Sequence, residues 1–177
     1  MTEIEPQEFL SEIWPKKLLT NETLELRAID RKTKNIHRSF LTSVSQFLRE
    51  ASNHKDKEIY FGVATRLGHG GKKHNCYRIC AVWADLDGVR LKDVDFDPAP
   101  TFTVISGGGV HCYWKLESPV LINNGNGRLA EIESINRGLC ARFKGDHMCT
   151  DVTHILRAPG FLNHKYNPFR PVKAFKV

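Results

Sequence analysis

Residues 77–87, YRICAVWADLD, limit most narrowly what this chain can fold into. Apolar side chains occupy successive positions from Ile79 to Ala84, so a strand here is buried on both faces, and other elements must cover it. The run ends on Asp85 and Asp87, whose side chains leave the same face of a strand because its period is two. Two ionised carboxylates held that close drive one of them to protonate unless a divalent cation supplies the opposing charge. An oxygen-only pair suits Mg²⁺ or Mn²⁺, which keep water and phosphate as further ligands. The competing reading is a solvated turn that begins at Asp85, with Gly88 helping the chain to turn away.

Gly, Pro and Asn punctuate the remaining sequence into short strands and helices, which predicts an α+β or α/β fold. Strands are expected at 23–30, 58–66 and 171–177, and 102–116 reads as two strands joined at the glycines 107–109. Ile36, Phe40, Leu41, Val44, Phe47 and Leu48 predict a helix over 36–48. After a turn at Asn123-Asn124-Gly125-Asn126, the spacing of Leu129, Ile132, Ile135, Leu139 and Phe143 predicts an amphipathic helix. Thr150 is read as the cap of a short helix stopped at Pro159-Gly160, and 66–75 (RLGHGGKKHN) as an irregular Gly- and Lys-rich loop.

A chain of 177 residues, 41% hydrophobic, fits one domain or two closely packed lobes. No apolar run approaches the about 20 residues of a membrane span, and the acidic N-terminus lacks a signal-peptide pattern, so a cytoplasmic protein without membrane partners is expected. The net charge of +6 suits a polyanionic partner. Five cysteines without CxxC spacing indicate reduced, mostly buried thiols, and the irregular spacing of His69, His74, Cys76 and Cys80 argues against zinc.

Two further stretches share chemistry with the aspartates. In SGGGVHCYW, residues 106–114, three consecutive glycines let backbone N–H groups approach an anion, and His111 can donate to it. In residues 145–165, GDHMCTDVTHILRAPGFLNHK, Asp146 or Asp151 supplies another carboxylate, while Arg157 offers a planar fork and Lys165 a point charge for phosphate. Trp83, Tyr113 and Trp114 could stack on bases, but each lies in an apolar strand, where core packing is the expected role.

In this order and spacing, Asp85-Leu86-Asp87, Ser106 to His111, and Arg157, Pro159, Gly160, Asn163 and Lys165 resemble the three motifs of the archaeo-eukaryotic primase superfamily, above all the primase-polymerases of phages and plasmids. The resemblance extends over about residues 58–165, and FLSEIWP, LELRAI and IYFGVATR are similar to the front of phage primase-polymerases. It implies a single two-lobed α+β catalytic domain over 1–177: an N-terminal α/β lobe at 1–80 and a lobe at 81–177 built on an antiparallel sheet like that of RNA-recognition motifs. The domain would be the front of a longer replication protein, with its active site in the cleft between the lobes.

By that resemblance the chain is a DNA primase and polymerase, a template-directed nucleotidyltransferase that adds nucleotides from triphosphates and releases pyrophosphate. Asp85, Asp87 and a third aspartate would hold two Mg²⁺ or Mn²⁺ ions, with Asp146 preferred to Asp151 because it precedes Arg157 by eleven residues. Ser106, His111, Arg157, Asn163 and Lys165 would bind the incoming nucleotide. Where the eukaryotic catalytic subunit carries two arginines this chain has glycines around Gly108, leaving less positive charge at the phosphates. Expected partners are single-stranded or primed DNA, nucleoside triphosphates and a replicative helicase domain, with Arg66, Lys72 and Lys73 against template phosphates. The alternative is a catalytically weak DNA-binding module of a replication initiator that needs a helicase or accessory domain. A rolling-circle nickase is disfavoured because the chain has no HxH metal motif.

Overall fold

The computed structural model describes residues 1–123 and 127–177, so Asn124, Gly125 and Asn126 of the expected turn lie outside the described residues. In chain order the elements are β1 (Thr2–Ile4), α1 (Pro6–Ile13), β2 (Glu22–Ile29), β3 (Ile36–Leu41), α2 (Val44–Ser52), β4 (Glu58–Gly62), β5 (Arg66–Leu67) and β6 (Arg78–Asp87). There follow β7 (Phe102–Ile105), β8 (Gly109–Leu121), α3 (Arg128–Phe143), β9 (Ile155–Arg157), β10 (Leu162–Asn163), β11 (Arg170–Pro171) and β12 (Lys173–Lys176).

Two antiparallel sheets carry the molecule, one ordered β3-β2-β4-β9 and the other β1-β12-β7-β8-β6, with β10 and β11 forming a separate ribbon. The mixed α+β architecture of the expectation is therefore present. Its lobes interleave, however: β1 joins the second sheet and β9 the first, so a cut at residue 80 does not separate them. One core spans both sheets. Phe9 of α1 meets Phe61 of the first sheet at 5.9 Å and Phe102 and Tyr113 of the second at 6.0 and 5.2 Å, all edge to face. Trp14, just past α1, donates its indole N–H to the Gly62 carbonyl at 2.9 Å. Trp83 and Tyr113 are fully buried, and Trp114 stacks on Phe143 at 5.5 Å.

The expected helix over 36–48 is instead strand β3 followed by helix α2. Asp30 accepts from the backbone N–H of Lys32 and Thr33, closing a tight turn that folds β3 back on β2 with Ile36 opposite Ile29. Ser43 then caps α2 by accepting from Gln46 N–H at 3.2 Å, while the Gln46 side chain accepts from the N–H of Thr42, the residue before the cap, at 3.0 Å, and together these bonds fix where the helix begins. The helix expected after Thr150 is also absent, because Ile155–Arg157 extend to pair with β4.

Strand β6 closes one side of its sheet, and near its end the outer backbone edge is partly covered. Asn136 of α3, itself fully buried, accepts from Trp83 N–H at 3.0 Å and donates to the Thr150 carbonyl at 3.2 Å. Two residues on, Asp85 C=O accepts from Asp146 N–H at 2.7 Å. Covering this part of the edge reduces a strand-pairing liability and seats the turn after α3 beside the end of β6.

Candidate active site

The end of β6 sits in register with β8, with Asp85 opposite His111 and Asp87 opposite Gly109. Gly109 is required by proximity, since a Cβ there would lie 2.9 Å from Asp87 Cα and closer still to the Leu86 carbonyl. Gly107 turns the chain with φ of +84°. Ser106 closes the turn, its N–H and hydroxyl both donating to the Gly109 carbonyl at 3.0 and 3.1 Å. Asn163, reaching from β10, donates to the Ser106 carbonyl at 2.7 Å and accepts from Lys165 N–H at 2.9 Å, so the second and third sequence motifs are tied directly together.

These groups line a polar cleft of about 220 Å³ shared by Asp85, Asp87, Ser106, His111, Arg157, Asn163 and Lys165. Three more lining residues, Tyr60, His154 and Tyr166, escape a motif reading. Pairing of β4 with β9 sets Tyr60 opposite Arg157, whose guanidinium lies 5.0 Å from the ring centre and forms an ion pair with buried Glu58. Burial pushes Arg157 down to about 10, which leaves it charged at neutral pH. Tyr166 carries the Arg170 guanidinium on its face at 3.8 Å. The only local signal for these aromatics was their place beside basic residues in sequence or in pairing.

In the cleft, burial, and then the nearby like charge of Asp87, disfavour ionisation of Asp85 and push it up to about 6. Its Oδ1 is buried without a hydrogen-bond partner among the described residues, as is Nδ1 of His111, whose Nε2 lies 3.7 Å from that same oxygen. Burial holds His111 down to about 4, so its ring is neutral near pH 7. A buried carboxylate oxygen without a donor, facing a second carboxylate, fits a hard divalent cation.

Asp146 stands next to this pair. It caps a short turn by accepting from Met148 N–H at 2.8 Å, and the Cys149 thiol bridges it to Asp85, with Sγ 3.2 Å from one carboxylate and 3.7 Å from the other. The Met148 N–H is the main reason its carboxyl lies below the usual range. Asp151 is engaged elsewhere, by Lys73 at 2.5 Å and by Thr153 N–H at 2.7 Å. Although burial raises its carboxyl, these bonds bring it down to about 2.

The basic loop requires a correction. Arg66 is fully buried, pairing with Glu25 at 2.7 Å and donating to the Ala64 carbonyl at 2.8 Å, so it cannot reach a DNA phosphate. Lys72 and Lys73 are both exposed, but Lys73 is held by Glu133 at 2.7 Å and by Asp151. Cys76 and Cys80 are buried thiols pushed up to about 11 by desolvation, and no metal-binding group of three among the described residues includes them, His69 or His74.

The family model of the RepB DNA-primase N-terminal domain matches residues 87–172, a span that begins at Asp87 and includes the other two motifs. The fold matches the AEP domain of the cyanophage S-2L primase-polymerase with a TM-score of 0.66 and 18% identity, over 87% of this chain and 80% of that one. It also matches the catalytic domain of primase RepB′ solved with initiator DNA, with a TM-score of 0.59 and 18% identity over 86% and 74% of the two chains. A second RepB′ structure gives 0.62 at 18% identity, with 89% of this chain covering 51% of that one. No curated protein sequence matches the chain. The chain thus shares the fold of primase and primase-polymerase catalytic domains, and its second half is similar to the RepB DNA-primase N-terminal domain.

Proposed function

We propose that the cleft is the catalytic centre of a DNA primase and polymerase that joins a primer or initiating-nucleotide 3′-hydroxyl to the α-phosphate of a nucleoside triphosphate and releases pyrophosphate. The observation that carries this reading is the convergence in one cleft of Asp85 and Asp87 with the Ser106–His111 turn and the cations Arg157 and Lys165. Asp85, Asp87 and Asp146 would hold Mg²⁺ or Mn²⁺, which when bound lowers the pKa of the attacking hydroxyl and offsets charge on the leaving oxygens.

The chain's own groups do the rest. Arg157 and Lys165 bind the triphosphate and neutralise charge that develops on pyrophosphate, and His111 donates a hydrogen bond from a water-excluded position. Asn163 fixes Ser106 and the backbone of Lys165, so the glycine turn and the lysine keep one spacing. Asp146 is the preferred third carboxylate because it adjoins Asp85, whereas Asp151 is occupied by Lys73. Template DNA and a helicase domain complete the reading, with exposed Lys72 as a phosphate contact. Among the described residues no helix is long and apolar enough to cross a membrane.

The test is incorporation of labelled nucleotides on single-stranded and primed DNA with Mg²⁺ or Mn²⁺. Wild type should extend, and Asp85→Ala with Asp87→Ala should not. Equal extension by the double variant refutes the metal-site reading. DNA binding without incorporation by wild type supports the initiator-module alternative instead.

A further inference from the structure

His37 of β3, Glu50 of α2 and His54 just beyond that helix, none of which lines the cleft, meet with their ligand atoms all within 4.8 Å of one another. Glu50 Oε1 stands between the two imidazoles, 2.9 Å from His37 Nε2 and 3.4 Å from His54 Nε2. The rings face each other with centroids 4.2 Å apart. Glu50 and His54 are one helical turn apart, and the β2–β3 hairpin brings His37 over them. All three are half-buried and therefore reachable by an ion.

We propose that His37, Glu50 and His54 bind a transition-metal cation of the Zn²⁺ class, which fastens the edge strand β3 to the end of α2. Two imidazole nitrogens and one carboxylate oxygen form the ligand set that Zn²⁺ accepts with a water in the remaining position, and Ni²⁺ and Co²⁺ share the preference for imidazole. Mg²⁺ and Mn²⁺ prefer all-oxygen sets, so this site and the aspartate cleft select different ions. The neighbouring groups permit the change. Ser39 Oγ, 2.9 Å from His37 Nε2 and 3.4 Å from Glu50 Oε1, is placed to keep a hydrogen bond to the carboxylate. Lys57 Nζ, 3.4 Å from His54 Nδ1, sits on the other ring nitrogen and has a flexible stem that can turn toward solvent. The metal would lock β3 in place at the rim of the sheet whose opposite rim carries Arg157.

The experiment uses the domain carrying Asp85→Asn and Asp87→Asn, so that the cleft carboxylates do not compete, after stripping with a chelator. Titration with ZnCl₂ should show one bound equivalent. At zinc near 100 times its dissociation constant the melting temperature should rise by roughly 5–10 °C. Millimolar Mg²⁺ should do neither, and Co²⁺ should give visible ligand-field absorption. His37→Asn and His54→Asn, added separately and each confirmed folded by its melt in chelator, should lose the zinc equivalent and the cobalt bands. Absence of a stoichiometric zinc equivalent, or zinc binding undiminished in both histidine variants, overturns the proposal. The cobalt spectrum of the parent needs no further variant, so a misfolded histidine variant would not leave the question open.

Discussion

Asp85→Asn should make the metal-free domain more stable while removing its proposed chemistry. In the folded chain the Asp85 carboxyl rises from its ordinary 3.8 to about 6, first through burial and then through Asp87. Its side chain is only 13% exposed, so solvent screens little of this effect. The fold favours the protonated form. The Asp85 penalty is therefore absent below pH 3.8, grows as pH rises toward 6, and is complete above that. A shift of this size corresponds to about 3 kcal/mol. The amide forfeits the charge-assisted contact from the Cys149 thiol at 3.7 Å, which leaves a gain of about 2 kcal/mol. For a domain of this size that raises Tm by roughly 4–8 °C. The assay is thermal unfolding of wild type and Asp85→Asn in EDTA from pH 8 to pH 5. The difference should be largest above pH 7 and shrink toward pH 5, and Mg²⁺ should narrow it at pH 8 by stabilising wild type alone. A variant that melts at or below wild type across this range, or a gap independent of pH, refutes the reasoning.

Asp146→Asn should abolish nucleotide incorporation, whereas Asp151→Asn should retain it and lose only the tie to Lys73. The reverse pattern in a primer-extension assay would exchange their roles. Lys165→Ala should raise KM for nucleotide by about tenfold to a hundredfold through the loss of a charged hydrogen bond, with little change in Tm. Arg157→Ala should do the same and also lower stability by about 3–5 kcal/mol, because it leaves Glu58 buried without its cation. Denaturant melts alongside steady-state kinetics separate the two effects. Gly109→Ala should destabilise by about 1–3 kcal/mol, because its Cβ meets the backbone of Leu86 and Asp87. Its chemical denaturation midpoint checks this, and an unchanged midpoint would contradict the close packing of β6 on β8.

What could be read from the sequence was whatever depends on near neighbours. Asp85 and Asp87 share a strand face because of the two-residue period, and the glycines before His111 mark a turn wherever the chain goes afterward. Helix α3 followed from its apolar spacing, although its most consequential core residue is polar: Asn136 completes the backbone edge of β6, while Ile135 of the predicted stripe faces solvent. The burial of Arg66 is not legible in the sequence because its partner Glu25 lies 41 residues away, and a loop of Gly and Lys gives no sign that one of its cations is buried. Tyr60 and His154 enter the cleft only through the pairing of β4 with β9, and the segment leading into β9 was expected to be helical. Residues 36–48 matched a helical stripe by coincidence, and Ser43 with Gln46 carried the missed boundary signal.

The most direct measurement of the central claim is a crystal structure of the domain with Mn²⁺ and a non-hydrolysable nucleoside triphosphate, using the anomalous signal of manganese to locate the ions. The account predicts manganese on the carboxylates of Asp85, Asp87 and Asp146, with the triphosphate against His111, Arg157 and Lys165. Manganese elsewhere, or a triphosphate bound away from this cleft, would contradict it.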